Sequence, residues 1–156
     1  MAMNAEYINP FYMASTSVLG MFGLELKQEK PYVKKTSEFE PDQIVICLGI
    51  VGQVTGQVLL VLTQKVALDL ASKMCMMPIT ELDDISRSAI SELGNMVMGN
   101  AATLLSTKGI IIDITPPTLI QGNFKMDAIY AENICIPMNY GEGMRIELDV
   151  SLKEAQ

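Results

Sequence analysis

The chain has 156 residues, a formal net charge of −7, 49% hydrophobic and 19% charged residues, and neither histidine nor tryptophan. That length suits one domain or two small intertwined halves, and the apolar share is enough for a packed core rather than a disordered chain. The acidic balance argues against a nucleic-acid partner, which needs a basic face. The missing histidine excludes Ser-His-Asp and Cys-His catalysis and removes the commonest zinc ligand.

The opening MAMNAEYINPFY has no basic region leading into an apolar one, so no secretory signal is expected. Residues 9–22 then read as a helix, with Asn9 as cap, Pro10 at its first position and Gly23 as its stop. Residues 31–38 look extended, and the basic pair Lys34-Lys35 reads as a solvated strand end. Residues 43–51 and 54–63 are β-branched and apolar, joined at Gly52-Gln53 as a hairpin. A second helix spans 64–77, stopped by Pro78. The longest helix spans 80–108, with Thr80 and Asp83 at capping-box spacing and Lys108-Gly109 as its end. Strands follow at 110–120, broken by Pro116-Pro117, at 127–138 and at 142–152. No uninterrupted apolar stretch reaches the length of about 18 residues that a membrane span needs.

The three cysteines, Cys47, Cys75 and Cys135, are odd in number and lack C-x-x-C spacing. Cys47 and Cys135 lie inside apolar runs, which predicts buried free thiols and a reducing cytoplasm. Ile46-Cys47 and Ile134-Cys135 also mark an internal echo: each follows a helix and precedes a Gly-containing turn. The chain is therefore read as one α+β domain over 1–156 built of two degenerate α-β-β-β halves, about 5–78 and 80–152. Their strands would share one mainly antiparallel sheet with helices packed on one face.

At 100° per residue, Ile90, Leu93, Val97, Ala101 and Leu104 form one side of the helix over 80–108 and should pack on the sheet. Ser88, Glu92, Asn95 and Gly99 form a narrow stripe on the opposite side. Glu92 is the only charged member, whereas a solvated face carries more charge. Asn95 is a poor mid-helix residue, and Gly99 costs about 1 kcal/mol relative to alanine but lets another backbone approach. Met96 and Met98 flank the stripe as soft contact area. The pattern leaves a docking face and an ordinary solvated face both open. The first helix repeats the spacing with Asn9, Met13, Thr16 and Gly20, so Met13 and Thr16 replace Glu92 and Asn95. Two other clusters have simpler explanations. Glu81, Asp83 and Asp84 suggest a metal hydrolase, but acids at a helix start are favoured by its dipole. Cys75 among Met74, Met76 and Met77 suggests a soft-metal site, but an amphipathic helix end accounts for it. Asp127, Glu132 and Glu142 read as surface.

Ser88-x-x-x-Glu92-x-x-Asn95, followed by Gly99-Asn100-Ala101 and then by Pro116-Pro117, resembles the CheC/CheX/FliY family of chemotaxis phosphatases. Asn9-Pro10-Phe11 and the Gly52-x-Val54-Thr55-Gly56-Gln57-Val58 hairpin extend the resemblance over nearly the whole chain. The single motif and short length are most similar to the CheX branch. The resemblance implies hydrolysis of the aspartyl phosphate of a phosphorylated CheY-like response regulator. Asn95 would orient the attacking water and Glu92 would pair with the regulator's lysine. Ser88, Met96 and Gly99 would line the contact. It also implies that Mg²⁺ is the regulator's own, that this chain binds no cofactor, and that a homodimer forms through strand edges. The alternative is a non-catalytic module that binds a phosphorylated receiver domain or joins a flagellar-switch-like assembly.

Overall fold

The computed structural model describes residues 5–127 and 133–154. Its centre is the hairpin of β4 (Gln43–Gly52) and β5 (Val54–Thr63). Their β-branched residues alternate, with Ile44, Ile46 and Leu48 on one face and Val45 on the other. The last strand, β10 (Arg145–Glu154), lies beside β5, and β9 (Asn133–Asn139) lies beside β10. Two short strands, β1 (Lys27–Gln28) and β2 (Tyr32–Lys34), pair with β9 at one edge. Two more, β6 (Ile112–Ile114) and β7 (Thr118–Gln121), pair with β4 at the other, separated by Pro116-Pro117. Every ladder is antiparallel.

The strand order reads alike from both edges. First-half strands β1 and β2 sit on second-half strand β9, and second-half strands β6 and β7 sit on first-half strand β4. The remaining pair, β3 (Thr36–Phe39) and β8 (Phe124–Asp127), forms a separate ribbon. Phe39 and Phe124 of this ribbon cover Val45, Leu59 and Val61. The main core lies on the opposite face, where α1 (Ala5–Gly20), α2 (Gln64–Cys75) and α3 (Asp84–Ser106) pack against alternate residues of β4, β5, β9 and β10.

Several boundaries differ from the sequence reading. Helix α1 begins before Pro10, so Asn9 does not cap it; the added turn buries Ile8 and lets Tyr7 hydrogen-bond to Glu154. Helix α2 ends two residues early, because Met76 turns left-handed at φ 55° and the backbone N–H of Met77 donates to the Ser72 carbonyl at 3.2 Å. Helix α3 is capped by Asp83 itself, whose carboxylate accepts from the Ser86 N–H at 2.9 Å, so Thr80 lies outside it. The strand expected over 127–138 is instead β8 and β9, and 128–132, with Glu132, lie outside the described residues. Lys34 is not a solvated end: it is half-buried, with Nζ 3.4 Å from Glu147. The three thiols are free, with Cys135 buried and Cys47 and Cys75 half-buried. Among the described residues no helix is long and apolar enough to cross a membrane.

Candidate functional site

Helix α3 is held down by Ile90, Leu93, Val97, Ala101 and Leu105, all buried; Leu104, one residue off the expected phase, is only partly covered. Gly94 sets how closely the helix approaches the sheet, since a Cβ there would stand 2.9 Å from Ile46 Cγ2 and 3.3 Å from Leu48 Cδ1. With that face pinned, the opposite one is fixed. Ser88 and Glu92 are exposed, and Asn95 and Gly99 are half-buried. A Cβ added at Gly99 would meet nothing within 4 Å, so its missing side chain clears space outside the molecule, not inside it.

The side chains of Ser88, Glu92 and Asn95 make no hydrogen bond or ion pair among the described residues. A mid-helix asparagine with neither its carbonyl nor its amide engaged is available to something beyond the chain. Met96 is half-buried and shares its surface between the core and the stripe. Met98, expected as a flank, is buried at 1% exposure because its phase turns it toward the sheet. Sequence reasoning missed Ile85, seven residues before Glu92 on the same stripe and 59% exposed; extending the stripe by one turn from Ser88 toward the N-terminus finds it. None of four clefts of about 250 to 830 Å³ takes a residue from α3. An exposed helix face outside those clefts suits contact with a protein more than enclosure of a small molecule.

Helix α1 lies against α3 and presents the matching stripe. Asn9, Met13, Thr16 and Gly20 are exposed, and a Cβ at Gly20 would likewise meet nothing within 4 Å. Thr16 turns its hydroxyl back to the Tyr12 carbonyl at 3.1 Å, so this copy offers no free polar pair. The acids at the start of α3 do not gather into a site. Asp83 is held below the usual carboxylate range chiefly by the Ser86 N–H, and Glu81, Asp83 and Asp84 do not converge on a common point. Asp127 and Glu142 are exposed as expected, Asp127 accepting from the Thr36 hydroxyl at 2.8 Å.

The comparisons with known proteins agree with this fold. Residues 44–139 match the family model described as chemotaxis phosphatase CheX. CheY-P phosphatase CheX of Thermotoga maritima is 30% identical over 153 residues, 97% of this chain and 98% of its own length. A CheC-like superfamily protein from Shewanella sp. PV-4 superposes with a TM-score of 0.83 at 28% identity, covering 97% of this chain and 99% of its own. CheX of Borrelia burgdorferi, solved as a CheX–CheY–BeF3–Mg²⁺ complex, superposes with a TM-score of 0.73 at 28% identity, covering 95% and 98%. The fold is that of the CheC-like superfamily, a mixed α+β sheet with helices on one face. Within it, the chain belongs to the CheX family of chemotaxis phosphatases.

Proposed function

We propose that the chain stimulates hydrolysis of the aspartyl phosphate of a CheY-like response regulator, and that Glu92 and Asn95 carry the reaction. The observation that supports this most is the pairing of an exposed carboxylate and an unengaged carboxamide, three residues apart on α3, which the related stripe on α1 lacks. An acyl phosphate is a reactive mixed anhydride, so water needs positioning more than it needs a strong base. The Asn95 side-chain oxygen accepts a hydrogen bond from that water, while its N–H₂ donates toward a phosphoryl oxygen. Water attacks phosphorus, the P–O bond to the aspartyl carboxylate breaks, and inorganic phosphate leaves. Glu92 forms an ion pair with the regulator's lysine and fixes the register of docking. Mg²⁺ stays with the regulator, Ser88, Met96 and Gly99 border the contact, and copies of the chain pair as a homodimer through sheet edges in the cytoplasm.

The direct test measures phosphate release from a phosphorylated CheY-like regulator with and without the protein. Acceleration supports catalysis; tight binding with no acceleration makes the chain a receiver-binding module. Glu92→Ala should weaken binding to the phosphorylated regulator by roughly 10- to 100-fold and slow turnover with it, the scale of one desolvated charge pair. Unchanged affinity and rate in a titration would remove Glu92 from the site. Gly99→Leu should separate stability from function. Helix propensity raises stability by about 1 kcal/mol, since a Cβ there meets nothing within 4 Å, while the same side chain blocks the regulator. A higher melting temperature with intact phosphatase activity would place the contact elsewhere.

A further inference from the structure

The face of the sheet away from the helices carries a second cluster that the phosphatase reading does not use. Cys135 on β9 and Asp149 on β10 are cross-strand partners, and Glu147 lies two residues from Asp149 on the same face. One ligand atom from each of Cys135, Glu147 and Asp149 lies within 4.8 Å of the other two, and all three residues are buried. Asp149 is fully buried, and neither of its carboxylate oxygens accepts a well-formed hydrogen bond; the groups that face it are the Glu147 carboxylate and the Cys135 thiol. Burial, and then the neighbouring Glu147, pushes its carboxyl up to about 8. A buried carboxyl group with no well-formed hydrogen bond points to a missing partner.

The other half of the sheet shows the same places without charge. Cys47 faces Leu59 across the β4–β5 ladder as Cys135 faces Asp149, and Leu59 and Asp149 are themselves opposite each other at the centre of the sheet. Gln57 stands where Glu147 stands, and the Cys47 thiol donates to its Oε1 at 3.7 Å. Both halves keep the thiol, while only one adds two carboxyl groups. Those groups also have an ordered surround. Glu147 Oε1 accepts from the Tyr32 hydroxyl and from Arg145 Nη2 at 3.1 Å, and Oε2 accepts from Lys34 Nζ at 3.4 Å. A cleft of about 250 Å³, lined in part by Tyr32, Lys34, Arg145 and Glu147, reaches the Glu147 side of the cluster from solvent.

We propose that Cys135, Glu147 and Asp149 form a binding site for a divalent transition-metal cation of the zinc class, with Tyr32 and Lys34 holding Glu147 in orientation. A thiolate with two carboxylates is a donor set such ions accept, and hydrogen bonds to a ligating carboxylate from behind are the usual support. The charge balances. Binding displaces the protons of the thiol and the Asp149 carboxyl, so one divalent ion replaces two protons and leaves the summed charge of the cluster, Lys34 and Arg145 included, unchanged.

The test uses the full chain, stripped with EDTA and titrated with Co²⁺ and Zn²⁺. The expected result is a thiolate-to-cobalt charge-transfer band saturating at one Co²⁺ per chain, bleached by Zn²⁺. Zn²⁺ at about 100-fold over its dissociation constant should raise the melting temperature by roughly 5–10 °C. Cys135→Ser should abolish the band, Asp149→Asn should weaken binding by at least about 10-fold, and Cys75→Ser should change neither. Asp149→Leu, which copies Leu59 of the other half, keeps the strand packed and should lose the Zn²⁺ response while remaining folded. Absence of the band and of any Zn²⁺ shift in the unmodified protein would overturn the proposal, as would a band that survives in Cys135→Ser. The proposal fails equally if Asp149→Leu is simply more stable than a parent protein that ignores metal, for then the cluster holds a proton and nothing else.

Discussion

Asn95→Ala should slow stimulated phosphate loss from a CheY-like regulator by roughly 100-fold, the scale for removing one group that orients the transition state. Affinity should be nearly unchanged. Asn95 is half-buried on a helix whose far side is pinned through Gly94 and Leu93, so truncating it leaves the helix backbone where it is. It has no partner among the described residues, so no internal hydrogen bond is lost with it. A rate loss therefore reports on the reaction and not on folding. Single-turnover phosphate release, set beside a binding titration with the same regulator, separates the two quantities. A native rate in the alanine variant would falsify the role given to Asn95. Equal losses in rate and affinity would make Asn95 a docking residue instead.

Gly56→Ala should have the largest effect on stability, a loss of roughly 3–5 kcal/mol or failure to fold. Gly56 sits in β5 opposite Leu152 of β10, at φ +153°, a backbone conformation that side-chain-bearing residues rarely adopt. A Cβ there would stand 1.9 Å from the carbonyl oxygen of Ser151, which belongs to a backbone ladder and cannot swing aside as a side chain can. Either the central strands separate or the residue is strained. Chemical denaturation followed by circular dichroism measures the loss, and a midpoint within error of the parent protein would show that the ladder yields more easily than this geometry allows.

The hairpin and the long helix are legible in the sequence because each has an unambiguous period: β-branched residues alternating across 43–63, and Ile90, Leu93, Val97 and Ala101 recurring along α3. The stripe of Ser88, Glu92, Asn95 and Gly99 follows from the same periodicity. Its chemistry does not, because an unengaged asparagine and a solvated one have the same spacing; the family resemblance supplies that step. Helix ends depart from the local signals where tertiary contacts outweigh them, as with Ile8 and Tyr7 extending α1 past Pro10, or Met76 taking a left-handed cap that favours glycine. Nearness in sequence puts Met98 on the wrong face, although its helical phase is readable. The cluster around Asp149 is beyond sequence reasoning. Lys34, Cys135, Glu147 and Asp149 become neighbours only through the β2–β9–β10 ladders, and no local pattern announces that a polar residue on a strand will be buried.

The crossed placement of the edge strands has a consequence for how the chain comes into being. Val58 must find Val150, and Leu60 must find Leu148, before the centre of the sheet exists. During synthesis the first half emerges with β5 lacking β10 and with β4 lacking β6 and β7, so each hydrogen-bonding edge of its most apolar hairpin stays open until the second-half strands that cover it have been made. The nascent chain is thus most prone to aggregation just when it already carries every residue of one half and none of the strands that cover it.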